Sequence, residues 1–232
     1  MNKNEIKEKL FLRLKKYSEI ETTSNPDSKT YPSTKSQVHF AKILLKELKS
    51  VGVKDSFIDE YSYVFATLPS NVEKDVPPLG FMAHMDTAPN MSGKNVNPRI
   101  IENYDGKDII LNEKENIILS PKLFPEILNF IGKSIVVTDG TTLLGADDKG
   151  GVAEIITAME YLINHPEIKH GKIRVCFTPD EEIGKGVEYL DPNKFGVKFA
   201  FTIDGGPIGE LQYENFNAAK ALIEINGVDI HP

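Results

Sequence analysis

Apolar residues recur along the chain at two spacings, and together they predict alternating helices and strands. A period of three to four residues places apolar side chains on one helical face, and it predicts helices at the N-terminus, after Thr34 and over Val152–Asn164. Short runs rich in β-branched and aromatic residues predict strands at residues 53–58, 61–68, 79–83, 109–111, 117–119, 134–137, 172–177, 199–203, 211–216 and 219–225. The recurring order of strand, loop, helix and strand predicts an α/β fold with a mainly parallel sheet flanked by helices.

The start of the second predicted helix carries a local signal. Thr34 followed by Gln37 fits a capping box, in which two side chains satisfy backbone N–H groups of the first helical turn. Gly52 ends the same apolar stripe, as glycine often does after the last turn of a helix. We therefore expect a helix between Thr34 and Gly52.

Composition and charge narrow the class of protein. The chain has 232 residues, enough to bury a sizeable core, and a net charge of −7. A general binder of nucleic acid or of an acidic membrane needs a basic face, so we expect neither kind of partner. Cys176 is the single cysteine, which favours a reducing compartment. No apolar run resembles a signal peptide or approaches about 20 residues, so we expect a soluble, cytoplasmic protein.

Polar clusters follow the ends of several predicted strands. They are His84 with Asp86, Asp147 with Asp148, Glu181 with Glu182, and Asp204. Any one of them alone would more often cap a helix or close a turn than serve a function. In open α/β sheets, however, ligands bind in the crevice beyond the carboxyl ends of the strands. Four clusters at such ends, one of them with a histidine, therefore predict a shared site.

The residue types in these clusters favour a metal over a phosphate. Asp147 and Asp148 lie between glycines, without the Lys-Ser/Thr ending that a phosphate-binding loop requires. His84 and Asp86 are two residues apart and project to one side of an extended segment, so Asp86 can accept the second ring N–H of a metal-bound histidine. The neighbouring carboxylates that follow Pro179-Asp180 point in different directions, so one can bind a metal while the other acts as general base.

These clusters lie in motifs that resemble a known superfamily. LGADDKG at 144–150, FTPDEEIGKG at 177–186 and TIDGG at 202–206 are similar to the two-zinc amino/carboxypeptidases and deacylases. The resemblance narrows to the tripeptide aminopeptidases on four further stretches, PST at 32–34, HMDTAP at 84–89, SGKNVNP at 92–98 and GELQYENFNAA at 209–219. It covers nearly the whole chain, with the motifs in the order that the family has them.

The resemblance implies a role for each site residue. His84 and Asp204 would bind one zinc ion, Asp147 would bridge two ions, and Glu182 would bind the second. Glu181 would be the general base for a zinc-bound hydroxide that attacks the N-terminal peptide bond of a tripeptide. Two zinc ions per complete subunit are implied by the resemblance alone, since one histidine among carboxylates would also accept manganese or cobalt.

The resemblance also implies roles for Asp86 and His231 and a division of the chain. Asp86 would orient His84, and His231 would reach a partner's active site in a homodimer and stabilise the oxyanion. Residues 1–216 would form the first segment of the catalytic domain, and residues 217–232 would begin a lid and dimerisation domain with its first strand. We expect the chain to be the first half, or somewhat more, of such an enzyme. It would then lack the last histidine ligand and have little activity alone.

Other functions fit the same motifs. A dipeptidase, a carboxypeptidase or an N-acyl amino acid deacylase of this superfamily would use the same metals. A non-catalytic metal-binding or interaction module would keep the motifs without using them. The presence of Glu181, which has no structural reason to persist in an idle site, favours an enzyme.

Overall fold

The structure, a computed structural model, describes residues 2–214, 217–219 and 221–228. Two helices precede the first strand, and a third long helix lies between the seventh and eighth strands. The elements are α1 Lys3–Ser18, α2 Lys35–Ser50, β1 Asp55–Ile58, β2 Val64–Leu68, β3 Leu79–His84, β4 Arg99–Ile101, β5 Ile109–Asn112, β6 Ile117–Leu119, β7 Ile135–Val137, α3 Ala146–Asn164, β8 Ile173–Thr178, α4 Pro192–Phe195 and β9 Ala200–Thr202. Short 3₁₀ turns cover Pro125–Phe130 and Glu181–Ile183. Within the described part of the chain, no helix is both long and apolar enough to cross a membrane.

The main sheet has five strands in the order β1-β2-β8-β3-β9. β3 pairs in parallel with both β8 and β9, whereas β2 pairs antiparallel with β1 and β8. The α/β prediction is confirmed, but the sheet is mixed rather than mainly parallel. The reason is local, because the connection between Ile58 and Val64 is too short for the crossover that a parallel pair needs. The parallel pairs β8–β3 and β3–β9 lie at the side of the sheet that carries the predicted site.

One continuous apolar cluster joins the helices to the sheet. Phe40 and Leu44 of α2 and Val152 and Ile156 of α3 are fully buried in it, together with strand residues such as Phe177. These helical residues recur every three or four positions, which is the period that predicted the two helices. The segment between β3 and α3 adds two small antiparallel sheets, β4–β7 and β5–β6.

Two local predictions differ from the structure. Thr34 is the N-cap of α2, but its side chain makes no capping hydrogen bond. The Gln37 amide instead donates to the Asp180 carboxylate, so a distant partner replaces the predicted capping box. After β9, residues 211–214, 217–219 and 221–225 form no strand, and residues 215–216 and 220 lie outside the described residues. A strand needs a partner for its backbone groups, and the described residues provide none there, so the predicted first lid strand is not observed.

Candidate metal centre

Three parallel strands bring the predicted site residues to one edge of the sheet. His84 is the last residue of β3, Asp204 lies two residues beyond β9, and Glu181 lies three residues beyond β8. Since β8, β3 and β9 are neighbours and parallel, their carboxyl ends meet at the same edge. The polar residues at the ends of these strands therefore lie close together, although the strands are far apart in the sequence.

The start of α3 supplies the fourth part of the site. Gly145 has a left-handed φ of 72°, and Asp147 and Asp148 depart from helical geometry before the regular helix begins. A Cβ at Gly151 would collide with the backbone oxygen of Ile203 and with the Asp148 carboxylate. The helix start can therefore lie against the end of β9 only because residue 151 has no side chain.

His84, Asp147 and Asp204 form the centre of this edge. The His84 Nε2 atom lies 2.8 Å from Asp147 Oδ1 and 3.8 Å from Asp204 Oδ2. One ligand atom from each of the three residues lies within 4.8 Å of the other two. The His84 side chain is 2% exposed and that of Asp147 is 72% exposed, so the cluster opens to solvent on the Asp147 side.

Asp86 connects the histidine to the Glu181–Glu182 turn. Its buried carboxylate accepts hydrogen bonds from the backbone N–H groups of Glu181 at 3.0 Å and of Glu182 at 3.1 Å. His84 Nδ1 lies 3.1 Å from the Asp86 carbonyl oxygen and 3.4 Å from its Oδ1. The carbonyl is thus the nearer acceptor for the histidine, and the carboxylate mainly holds the turn.

The pKa values of Glu181 and Glu182 are both raised at this centre. Glu181 Oε2 lies 3.8 Å from His84 Nε2. Burial raises the pKa of Glu181, and the carboxylates of Asp204, Asp86 and Asp147 raise it further, against the opposite effect of His84. Burial and the Asp147 carboxylate likewise raise the pKa of Glu182. Ionising these groups together is costly because like charges crowd one edge.

Asp148 and Lys149 are buried beneath the centre. Asp148 accepts hydrogen bonds from the backbone N–H groups of His84 and Gly151, each at 3.1 Å, and burial raises the pKa of its carboxyl to about 8. Lys149 Nζ donates to the Ile20 carbonyl at 2.7 Å, and burial lowers the pKa of its amine to about 7. The Asp148 carboxylate thus ties the start of α3 to β3, and the Lys149 amine ties it to the segment after α1.

The carboxylates of the centre change the pKa values of His84 and Asp204. Burial opposes the charged form of His84, but the carboxylates of Asp86, Asp148 and Asp147 outweigh it and raise the pKa of this histidine to about 10. Burial and the Asp147 carboxylate raise the pKa of Asp204, against the effect of His84. Among the residues that the structure describes, no Lys or Arg forms an ion pair with the carboxylates of this centre. Within that part of the chain, the imidazole is their one cationic partner.

The donor set fits a divalent metal ion. Ligand atoms bound to one zinc ion at about 2.0–2.2 Å lie at most about 4.4 Å apart. The distances from His84 Nε2 to Asp147 and Asp204 already satisfy this limit. An ion there would take up the negative charge for which the described residues provide so little compensation. One imidazole and several carboxylates suit zinc, manganese or cobalt.

Comparison with known proteins agrees with this chemistry. Residues 136–218, which include Asp147, Glu181 and Asp204, match the profile of Peptidase family M20/M25/M40. The chain is 60% identical to Peptidase T of Bacillus licheniformis over 227 residues, which are 98% of this chain and 55% of that relative. This chain is similar to the M20 peptidases over residues 136–218 and to Peptidase T along nearly its whole length. It spans about half the length of the curated relative that it matches.

Solved structures support the fold. The aminopeptidase PepT of Bacillus cereus superposes with a TM-score of 0.61 at 24% identity, over 86% of this chain and 44% of that one. A Bacillus subtilis protein described as a dinuclear metal binding peptidase from the M20 family superposes with a TM-score of 0.50 at 18% identity, over 89% and 45% of the two chains. Both support the α/β architecture of this chain.

Sequence reasoning missed part of the site, and one predicted residue cannot be placed. Asp180, Ser33 and Gln37 form a buried cluster behind the Glu181–Glu182 turn, although the motifs gave them no role. Asp180 stands inside a quoted motif, so its position was visible, but its partners lie more than 140 residues away. His231 lies outside the described residues.

Proposed function

We propose that this chain carries most of the metal centre of a zinc-dependent tripeptide aminopeptidase, which hydrolyses the N-terminal peptide bond of its substrate. One observation carries the proposal, which is the meeting of His84, Asp147, Asp204 and Glu181 within 3.8 Å of the His84 Nε2 atom. The similarity to Peptidase T supports the peptide substrate. Because the chain spans 55% of that relative, the proposal concerns the complete enzyme.

The donor atoms at the sheet edge and the resemblance support one set of metal ligands. His84 and Asp204 would hold one ion, Asp147 would be shared between two, and Glu182 would hold the second. A Bacillus subtilis protein of similar fold, described as a dinuclear metal binding peptidase, is consistent with two ions. Divalent zinc supplies Lewis acidity towards the peptide carbonyl and lowers the pKa of bound water. Asp86 positions both His84, through its carbonyl oxygen, and the Glu181–Glu182 turn, through its carboxylate.

Glu181 acts as the general base. Its Oε2 atom faces the His84–Asp147 pair, and it accepts a proton from the attacking water and donates it to the leaving amine. The side chain of Glu181 is 53% exposed, so water and substrate can reach it. The raised pKa of this carboxyl brings the base nearer to neutral pH, where a general base works best.

The remaining roles extend the same proposal. Residues 1–216 belong to the catalytic domain, and residues 217–232 begin a lid and dimerisation domain. His231 assists oxyanion stabilisation in the partner of a cytoplasmic homodimer.

The test compares three substrates. A chimera is made in which this chain replaces the matching 55% of Bacillus licheniformis Peptidase T, so that the rest of the enzyme is supplied by a relative. With zinc, the chimera is expected to hydrolyse Ala-Ala-Ala and to reject both N-acetyl-Ala-Ala-Ala and Ala-Ala. The 232-residue chain alone is expected to show little activity on any of them.

Other outcomes would assign another function. Cleavage of the acetylated peptide would favour a deacylase or carboxypeptidase, and cleavage of Ala-Ala alone would favour a dipeptidase. A chimera that binds zinc but cleaves none of the three, while the unaltered relative is active, would favour a non-catalytic metal-binding module.

A further inference from the structure

The Glu181–Glu182 turn is held at two points, and only one of them belongs to the metal centre. Asp180 occupies the N-cap position of this turn, with a left-handed φ of 55°, yet its side chain makes no capping hydrogen bond. The Asp86 carboxylate accepts the backbone N–H groups of Glu181 and Glu182 in its place. The Asp180 side chain is therefore free to point away from the turn.

Asp180 points into a buried cluster at the start of α2. Its Oδ2 accepts the Ser33 backbone N–H at 2.6 Å, and its Oδ1 accepts the Gln37 amide at 2.7 Å and the Ser33 hydroxyl. The Asp180 backbone N–H donates to Gln37 Oε1 at 3.0 Å. Asp180 and Gln37 are fully buried and Ser33 is 6% exposed. All these groups are thus paired inside the protein, away from water.

Gln37 contacts both the backbone and the side chain of Asp180. Its carboxamide accepts from one and donates to the other, so its orientation fixes that of Asp180. The residue after Asp180 is Glu181, whose Oε2 lies 3.8 Å from His84 Nε2. A change of Gln37 that repels Asp180 will therefore be transmitted by one peptide unit to Glu181 and by two to Glu182.

We propose that Gln37 is a positioning residue, which sets the place of Glu181 and Glu182 at the metal centre through Asp180. The inference rests on the proposed function, because it assigns Gln37 to the support of the base and of a metal ligand. Among the described residues, the Gln37 side chain hydrogen-bonds to Ser33, Thr34 and Asp180, and to none of the proposed metal ligands. Its own carboxamide is isosteric with a carboxylate, which allows a substitution that changes hydrogen bonding without changing shape.

The experiment exchanges the two partners. In Gln37→Glu a carboxylate faces the Asp180 carboxylate, and in Asp180→Asn an amide faces the amide of Gln37. The double variant restores a donor opposite an acceptor, since the new amide at position 180 can donate to the new carboxylate at position 37. That carboxylate can still accept the backbone N–H of residue 180. Zinc affinity is measured by calorimetry with Zn²⁺ in the chimera with Bacillus licheniformis Peptidase T, in which the relative supplies the rest of the enzyme, at a temperature where each variant is folded by circular dichroism.

Each single variant is expected to bind zinc about 10-fold more weakly, the scale seen for groups that orient metal ligands. The double variant is expected to recover most of that loss. In the chimera with Bacillus licheniformis Peptidase T, Gln37→Glu is expected to lower kcat about 10-fold with little change in KM, because the base is displaced rather than the substrate. Lys35→Gln makes the same one-unit charge change at an exposed position of α2 and is expected to leave both quantities unchanged.

Glu182→Gln separates failure of this inference from failure of the proposed function. Weaker zinc binding in Glu182→Gln, with wild-type binding in Gln37→Glu and Asp180→Asn, would overturn the positioning role and keep the metal centre. Unchanged binding in Glu182→Gln would instead refute its assignment as a ligand. A lower melting temperature without any change in zinc affinity or kcat would make Gln37 merely structural and overturn the proposal.

Discussion

Two clusters of charged side chains flank α3, and they differ in how their charges are balanced. Between α1, α2 and α3, the buried Arg13 donates to Glu47 at 2.9 Å, to Glu160 at 2.6 Å and to the Thr157 hydroxyl at 2.7 Å. Lys9 and Lys16 complete what we call the Arg13 network. The metal centre at the other end of the helix holds several carboxylates and one histidine.

The pKa values of the acids shift in opposite directions in the two clusters. Burial opposes ionisation of Glu47, but hydrogen bonds from Lys16 and Arg13 outweigh it and lower the pKa. In Glu160 burial is likewise outweighed by hydrogen bonds from Lys9 and Arg13, so its pKa is also lowered. In the metal centre, burial and neighbouring carboxylates raise the pKa values of Glu181 and Glu182.

The difference separates a structural role from a binding role. The Arg13 network contains its own cations, so its charges are satisfied by folding alone. Among the described residues, the candidate metal centre has one imidazole beside several carboxylates, so its negative charge exceeds its positive charge, and a bound cation would restore the balance. A buried acid with a lowered pKa is thus evidence for structure, and a crowded set with raised values at a sheet edge is evidence for a site.

The largest expected effect comes from removing one carboxylate that is not a metal ligand. In the zinc-loaded chimera with Bacillus licheniformis Peptidase T, Glu181→Gln should lower kcat about 10³-fold while zinc affinity stays within a few-fold, because a general base contributes roughly 10²–10⁴-fold. Steady-state hydrolysis of Ala-Ala-Ala measures it. Glu188→Gln, an exposed acid in the same loop, is the control and should remain active. Equal loss in both variants would contradict the role of Glu181.

Removing Arg13, the central cation of the Arg13 network, should give the next largest effect. Arg13→Met keeps the apolar stem but leaves Glu47 and Glu160 with fewer partners in a buried place, which costs about 3 kcal/mol of unfolding free energy. Urea unfolding without metal measures this change. Lys7→Met, an exposed substitution on the same helix, should change stability by less than about 0.5 kcal/mol. Similar stability of the two variants would mean that the Arg13 network contributes nothing by its pairing.

The contributions of the two clusters to the free energy of unfolding should change with pH in opposite directions. The lowered pKa values of Glu47 and Glu160 give stability that is present above the unfolded value of 4.5 and is lost as pH falls through the folded values. The raised pKa values of Glu181 and Glu182 work the other way, so the stability that these two groups contribute to the metal-free chain is present below the unfolded value of 4.5 and is lost as pH rises through their folded values.

Zinc binding should remove the pH dependence of stability that Glu181 and Glu182 produce. It should leave unchanged the pH dependence that Glu47 and Glu160 produce. Binding at about 100 times the dissociation constant adds about 2.7 kcal/mol, and the gain should be larger at pH 7 than at pH 5, because metal binding requires ionised ligands. Melting temperatures with and without Zn²⁺ at both pH values test this. A zinc-induced shift that is independent of pH would contradict the difference between the clusters.

The smallest effect should follow from moving the helix that joins the two clusters. Gly151→Ala places a methyl group against the Ile203 carbonyl and the Asp148 carboxylate, and relief of that clash should cost about 2 kcal/mol. Zinc affinity should fall as well, because α3 carries Asp147 at its start. Gly150→Ala, where a Cβ meets nothing within 4 Å, is the matched control. If both alanine variants bind zinc equally well, the close approach at Gly151 does not position the centre.

The sequence predicted those parts of the molecule that depend on local pattern. The helical period around Val152 and the polar residues after β3, β8 and β9 led to the α/β fold and to the grouping of His84 with Asp147 and Asp204. Tertiary pairing was not predictable, because it depends on residues far apart in the chain. Gln37 is bound to Asp180 instead of capping its own helix.

The strands predicted after β9 also show that local composition does not determine tertiary pairing. Residues 211–225 have the β-branched and aromatic content of strands, but Leu222 is 92% exposed and no neighbouring strand accepts their hydrogen bonds among the described residues. Composition indicates which residues can form a strand, whereas a partner decides whether they do.

The most direct test of the account is a calorimetric titration of the metal-free 232-residue chain with Zn²⁺ at pH 7, beside His84→Ala and the Arg13→Met variant. We expect saturable binding of at least one ion with a dissociation constant of about 1 μM, accompanied by proton release. His84→Ala should bind at least about 100-fold more weakly, more than loss of an orienting group would cause, while Arg13→Met should bind as the wild type does. Equal zinc binding by the wild type and His84→Ala would contradict the claim that this carboxylate cluster is built to hold a metal.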